Sequence, residues 1–172
     1  MNDTIKSLIN RRSIRKYKKE QISTEELELV LKAGMYAPTG KNKQSPIIVA
    51  VTNAEEIAYL SELNAAVLGT NSDPFYGAPT VLVVLADADN PNYIYDGSLV
   101  MGNLMNAAYS IGLGSCWINR AREVFASEEG KAWLLKHGIE GNYTGIGNCI
   151  LGYPEESPVA FPRKENYVYY VK

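Results

Sequence analysis

The chain has 172 residues, 46% of them hydrophobic, with a formal charge of -2 and an isoelectric point near 5.5. That length suits one domain with a sizeable core rather than two, and a mildly acidic chain lacks the domain-wide basic face of a nucleic-acid binder. Two widely spaced cysteines, Cys116 and Cys149, and a single histidine, His137, exclude a zinc site and a disulfide framework.

Met1 to Asn10 is polar, without the apolar core of a signal peptide, and no apolar run approaches the ~20 residues that span a bilayer. A cytoplasmic protein with neither a membrane nor a nucleic-acid partner is expected. Within Asn2 to Asn10, Ile5, Leu8 and Ile9 fall at helical spacing and predict a short helix. It delivers Arg11-Arg12-Ser13-Ile14-Arg15 at its C-terminal end. Guanidinium forks match phosphate oxygens and Ser13 adds a neutral donor, so this run reads as a grip on a phosphate. The plainer alternative is a solvated basic surface.

Ser23 with Glu26 three residues on forms a capping box, and Leu27, Val30, Leu31 and Met35 share one face of a helix over about 24–36. Pro38 stops that helix. In the loop that follows, Gly40 lets the backbone approach a neighbour closely, and Asn42 and Gln44 offer the donors and acceptors that a heteroaromatic ring edge requires. An ordinary polar loop is the competing reading. Ile47 to Thr52 predicts a strand, and Glu55 to Leu68 a helix with Ile57, Leu60, Leu63 and Val67 inward. A loop from Gly69 to Tyr76 leads to Thr80 to Leu85, whose continuous apolar run predicts a buried central strand.

Tyr93 to Ile111 predicts a long helix containing Leu99, Leu104, Met105 and Ala108, apolar enough to belong in the core or at an oligomer interface. The stretch Gly112 to Ile118 ends it with a glycine and turns directly into a strand. Glu123 to His137 reads as one or two short helices burying Phe125, Trp133 and Leu134, and Thr144 to Gly152 as another strand. The tail, Glu155 to Lys172, is aromatic and extended, with Arg163-Lys164 in its middle and no partner strand nearby in sequence. It is expected to add to another subunit's sheet or to wrap its surface. The two cysteines read as buried packing groups rather than redox thiols.

Four pieces recur here in a familiar order: Arg11 to Arg15 with Tyr17 following, Ala37-Pro38-Thr39-Gly40-Lys41-Asn42-Lys43-Gln44, the Gly112 to Trp117 turn, and Gly152-Tyr153-Pro154 followed by Arg163. Together they resemble the nitroreductase family of flavin mononucleotide (FMN) enzymes. The resemblance implies an α+β fold with a mixed, mainly antiparallel central sheet flanked by helices. It implies one domain over residues 1–172, an intertwined homodimer in which 155–172 is exchanged, and two FMN sites at the interface.

Carried over by position, Arg11, Arg12 and Ser13 of one subunit hold the phosphate and ribityl chain, while Arg15 reaches the pyrimidine side of the ring. Pro38, Thr39, Gly40, Asn42 and Gln44 of the other subunit line the ring and ribityl group. Arg163 and Lys164 complete the phosphate grip. Trp117, Ile118 and Asn119 lie along the ring, with backbone amides near N5; Trp117 reads equally well as a core residue. The implied activity is ping-pong hydride transfer from NADH or NADPH through the flavin to nitroaromatics, quinones or related small acceptors. No catalytic side chain is needed, consistent with the lack of any Ser-His-Asp or Cys-His arrangement.

Ser45-Pro46-Ile47 replaces the Pro-Trp that follows Gln44 in many members, and Asn119 stands where larger relatives often have an acidic residue. Only Ala86 to Tyr95 separates the central strand from the long helix, where larger members insert a cover, so an open site is expected. A flavin-binding redox sensor or carrier without NAD(P)H turnover is the alternative from another class.

Overall fold

The computed structural model describes residues 1–172. Its elements are α1 (Asp3–Asn10), α2 (Thr24–Met35), β1 (Pro46–Val51), α3 (Ala54–Leu68), β2 (Thr80–Asp87), α4 (Tyr93–Ser110), β3 (Gly114–Ile118), α5 (Ala121–Ala126), α6 (Glu128–Lys136) and β4 (Tyr143–Gly152). Local chemistry sets many of the boundaries. Asn2 caps α1 by accepting the Ile5 N–H, and Ser23 and Glu26 form both halves of the capping box on α2. Asn53 caps α3, which ends on Gly69 in the left-handed region at φ 73°.

Four strands form one sheet in the order β1-β2-β4-β3. Every neighbouring pair is antiparallel. The mixed, mainly antiparallel sheet that the resemblance implied is antiparallel in all its ladders, with a single parallel bridge between Ser13 and Ser115 at the outer edge of β3. β2 is buried from Thr80 to Ala86, because helices cover both sheet faces. Val81, Val83 and Leu85 pack toward Leu60 of α3, Phe125 of α5 and Trp133 of α6. Leu82 and Val84 pack toward Val30 of α2 and Met101, Leu104 and Ala108 of α4. Alternation along one strand thus splits the core into two layers. α2 sits tight on α4, since a Cβ on Gly34 would lie 2.6 Å from Leu104 Cδ2.

One inward assignment needs correction: Val67 is 43% exposed, because buried Asn64 takes the last inward position of α3. Met35, on the face of α2 that carries Val30, is 73% exposed in the last turn. α4 does line the core, and it also leaves Ile94, Tyr95 and Leu99 exposed on its other side. The segment 155–172 has no regular structure, and Phe161, Tyr169 and Tyr170 project into solvent. Only its root is held: Tyr17 bridges Pro154, the Glu155 N–H donates to the Lys16 carbonyl at 2.9 Å, and the Arg15 N–H donates to Glu156 Oε1. No helix is long and apolar enough to cross a membrane.

Candidate cofactor site

Arg11 is the residue on which α1 ends, and from there the chain runs along the outer edge of β3, where the Ile14 N–H donates to the Ser115 carbonyl at 3.0 Å. Ser13 is thereby fixed beside Ser115. Arg11 points partly inward, and its Nη1 is buried without a hydrogen-bond partner, as is Ser115 Oγ. Buried polar atoms rarely go unpaired, so two such atoms at this edge suit a hydrogen-bonding partner from outside this chain. Arg12 Nη1 donates to the Ile9 carbonyl at 2.9 Å, and Arg15 is exposed. None of the six arginines takes part in an ion pair; the four pairs in the chain use lysines and His137. Guanidiniums grouped at one edge without ion-pair partners suit an external phosphate.

The loop between α2 and β1 lies at the opposite edge. A 3-10 turn, Gly40–Asn42, is closed by hydrogen bonds from Asn42 N–H to the Thr39 carbonyl (3.0 Å) and from Lys43 N–H to the Gly40 carbonyl (3.1 Å). The Gln44 N–H donates to Thr39 Oγ1 at 3.0 Å, and Gln44 Nε2 to Asn42 Oδ1 at 3.2 Å. Lys41, Asn42 and Gln44 adopt left-handed backbone at φ 54°, 54° and 51°. Such conformations are uncommon outside glycine and are kept where the surroundings fix them. Asn42 and Gln44 remain exposed, as does Pro38, while Thr39 and Gly40 are half-buried. A cleft of about 400 Å³ lies against this loop, lined by Leu31, Thr39, Gln44 and Ile47 among others.

Register places these two edges far apart. Pro46 opposes Ala86, which opposes Thr144, whereas Ser115 opposes Leu151 seven residues along β4. With three strand spacings between β1 and β3, the separation is roughly 25 Å. One chain therefore does not bring its arginines and its Asn42 loop to one small ligand.

On β3 the side chains expected along a ring turn into the core: Ile118 joins the α3 layer, and Trp117 packs on the α4 layer, its Nε1 buried without a partner. Because the Ser115 carbonyl points outward to Ile14, the Trp117 backbone groups face outward too, and no strand pairs with them. Asn119 is exposed, and its carbonyl is held at 2.8 Å by Asn64 Nδ2, whose Oδ1 accepts Arg120 Nε at 2.9 Å. Arg120 sits at φ 75°, so the buried Asn64 pins a strained turn directly after β3. Asn64 escaped the sequence reading because its partners lie 55 and 56 residues away.

Burial pushes the Cys149 thiol up to about 12, with Cys116 adding to the rise and the Arg11 guanidinium opposing it. Both cysteines are free and buried, as packing groups are.

The nitroreductase family model matches residues 8–127, which contain both edges just described. The chain belongs to the nitroreductase family. A protein of Archaeoglobus fulgidus, provisionally named NADH dehydrogenase/NAD(P)H nitroreductase, is 33% identical over 162 residues, covering 91% of this chain and 88% of its own length. An FMN reductase [NAD(P)H] of Bacillus subtilis is 28% identical, over 95% of this chain and 70% of its own. The crystal structure of a nitroreductase with bound FMN from Bacteroides fragilis aligns with a TM-score of 0.90 and 26% identity over 100% of both chains.

As in other nitroreductase-family proteins, the architecture is α+β. Within this family member, Arg163 and Lys164 do not join the arginine edge of their own chain. Arg163 Nη2 donates to the Phe161 carbonyl at 2.9 Å, and Lys164 Nζ lies 5.5 Å from the Tyr167 ring centroid, both in the exposed tail.

Proposed function

We propose that the protein is an FMN-dependent NAD(P)H oxidoreductase that works as a homodimer, with each FMN clasped between the arginine edge of one chain and the Asn42 loop of its partner. The observation that carries this reading is the placement of the two recognition edges at opposite sides of one sheet, which a two-chain site reconciles. The unpartnered Arg11 Nη1 and Ser115 Oγ fit a phosphate-bearing ligand. The named activities of the relatives and the bound FMN of the aligned structure support it as well.

In this reading Arg11, Arg12 and Ser13 hold the phosphate and ribityl chain, joined by Arg163 and Lys164. Pro38, Thr39, Gly40, Asn42 and Gln44 line the ring and ribityl group from the other chain, and the Trp117–Asn119 backbone lies along the ring edge. FMN, when bound, supplies the chemistry of accepting hydride from NAD(P)H and passing electrons to nitroaromatics, quinones or related acceptors. Arg15 provides fixed positive charge at the pyrimidine edge, where it favours the negative charge gained on reduction. The five residues between β2 and α4 leave no room for a covering insertion, so acceptors approach from an open side. The proposal includes one domain over residues 1–172, with 155–172 wrapping the partner, and a cytoplasmic setting suited to free thiols.

The test is an absorbance spectrum of the purified protein, followed by anaerobic addition of NADH and then NADPH. A flavin spectrum that bleaches with either donor supports the oxidoreductase reading. A flavin that stays oxidised with both favours a sensor or carrier, and failure to take up added FMN removes the proposal.

A further inference from the structure

Asp96 is an aspartate in the first turn of α4, 3% exposed, with no cation bonded to it. A buried carboxylate without a counter-charge is costly, so its hydrogen bonds and the helix N-terminus have to offset that cost. Its Oδ1 accepts the Gly40 N–H at 2.9 Å, and its Oδ2 lies 3.4 Å from Asn90 Nδ2. Asn90 Nδ2 in turn donates to Ser45 Oγ at 2.9 Å, and Asn90 Oδ1 accepts the Asn92 N–H at 3.1 Å. One carboxylate and one amide therefore tie down both ends of the segment that carries Asn42 and Gln44. Gly40 permits the contact, because a Cβ there would lie 2.3 Å from Asn92 Nδ2.

We infer that Asp96 is the positioning residue for the cofactor loop: it holds Gly40 to Gln44, with Lys41, Asn42 and Gln44 left-handed, in shape before the ligand arrives. This rests on the reading of that loop as half of the FMN site. Asp96 does not touch the ligand; it acts through the Gly40 amide. Its charge strengthens that one hydrogen bond, and the anchored loop meets the ligand without an ordering cost.

FMN binding is measured by fluorescence quenching of the flavin on the full chain and on Asp96→Ala, Asp96→Asn, Asn90→Ala and Asn42→Ala, with the thermal midpoint recorded for each. Asp96→Ala is expected to raise the FMN dissociation constant about tenfold to a hundredfold, as loss of a charge-assisted bond does. Asp96→Asn keeps an acceptor for the Gly40 N–H and recovers affinity to within about fivefold of the parent. A purely structural role would not give that recovery with the midpoint still lowered. Asn90→Ala weakens binding through the Ser45 end, which preserves the test should Asp96→Ala not fold. Parent-like FMN affinity in Asp96→Ala, alongside weakened binding in Asn42→Ala, overturns the inference and leaves the two-chain site standing. Parent-like affinity in Asn42→Ala as well sinks the reading of the loop and the inference with it. Asp96→Asn binding as weakly as Asp96→Ala also overturns it.

Discussion

Arg15 shows how a single residue can be prepared for work at an edge. Its backbone is fixed by the Glu156 carboxylate and the flanking pairing of Tyr17 with Pro154, while its guanidinium stays exposed and free of carboxylate partners. In the proposed site Arg15 would be a fixed cation at the pyrimidine edge, worth about 1.5–3 kcal/mol to the charge gained on reduction. At about 30 mV per 1.4 kcal/mol for a two-electron couple, Arg15→Leu is expected to lower the flavin midpoint potential by about 30–60 mV. Spectroelectrochemical titration checks it, and an unchanged potential would take Arg15 off that edge. Residues of this kind were legible where their partners are close in sequence, as in the Ser23–Glu26 box. Asp96 and Asn64 were not legible, since each acts on a segment 55 to 56 residues distant and nothing local marks the contact.

Between elements, the same long-range chemistry fastens α3 to α6. The Glu56 carboxylate accepts Lys136 Nζ at 2.6 Å and Trp133 Nε1–H at 2.7 Å, with His137 Nε2 at 3.3 Å. Those hydrogen bonds, Lys136 foremost, hold the Glu56 carboxyl at about 2 against an ordinary 4.5. As pH falls, the unfolded chain takes up the proton first, so the fastening is complete above about 4.5 and is lost between there and about 2. Glu56→Gln is expected to lower the thermal midpoint at neutral pH and to flatten its decline on acidification. A midpoint-versus-pH series on both chains tests this, and parallel curves would contradict it. The elements themselves were well marked in the sequence: periodicity and caps located the helices within a few residues, and the apolar run 80–85 announced the central strand. The break between α5 and α6 was left open, because it depends on Ser127, whose Oγ accepts the Gly130 N–H to start the second helix. The exposure of Val67 was missed because periodicity gives a helix its face but not how far the neighbouring layer extends along it.

At the scale of the whole molecule, the pairing of edges can be tested by complementation. Arg12→Ala damages one half of each proposed site and Asn42→Ala the other. When the two variants are unfolded and refolded together, a mixed dimer carries both lesions in one site and none in the other. About half of the dimers are mixed, so about a quarter of the sites are restored. Activity of the mixture rising well above that of either variant alone is the expected result. A mixture no better than the average of its parts would place both residues in a site within one chain. The resemblance read from the sequence implied that these residues divide between two chains, and the separation of Ser115 from Pro46, set by how β2 and β4 intervene, supports that division. That same distance has a thermodynamic consequence. A ligand held by two chains is bound only while they are associated, so its retention obeys mass action in the protein as well as in the ligand. Dilution should then shed flavin, and added flavin should draw the subunits together by the same free energy, making the cofactor an assembly factor.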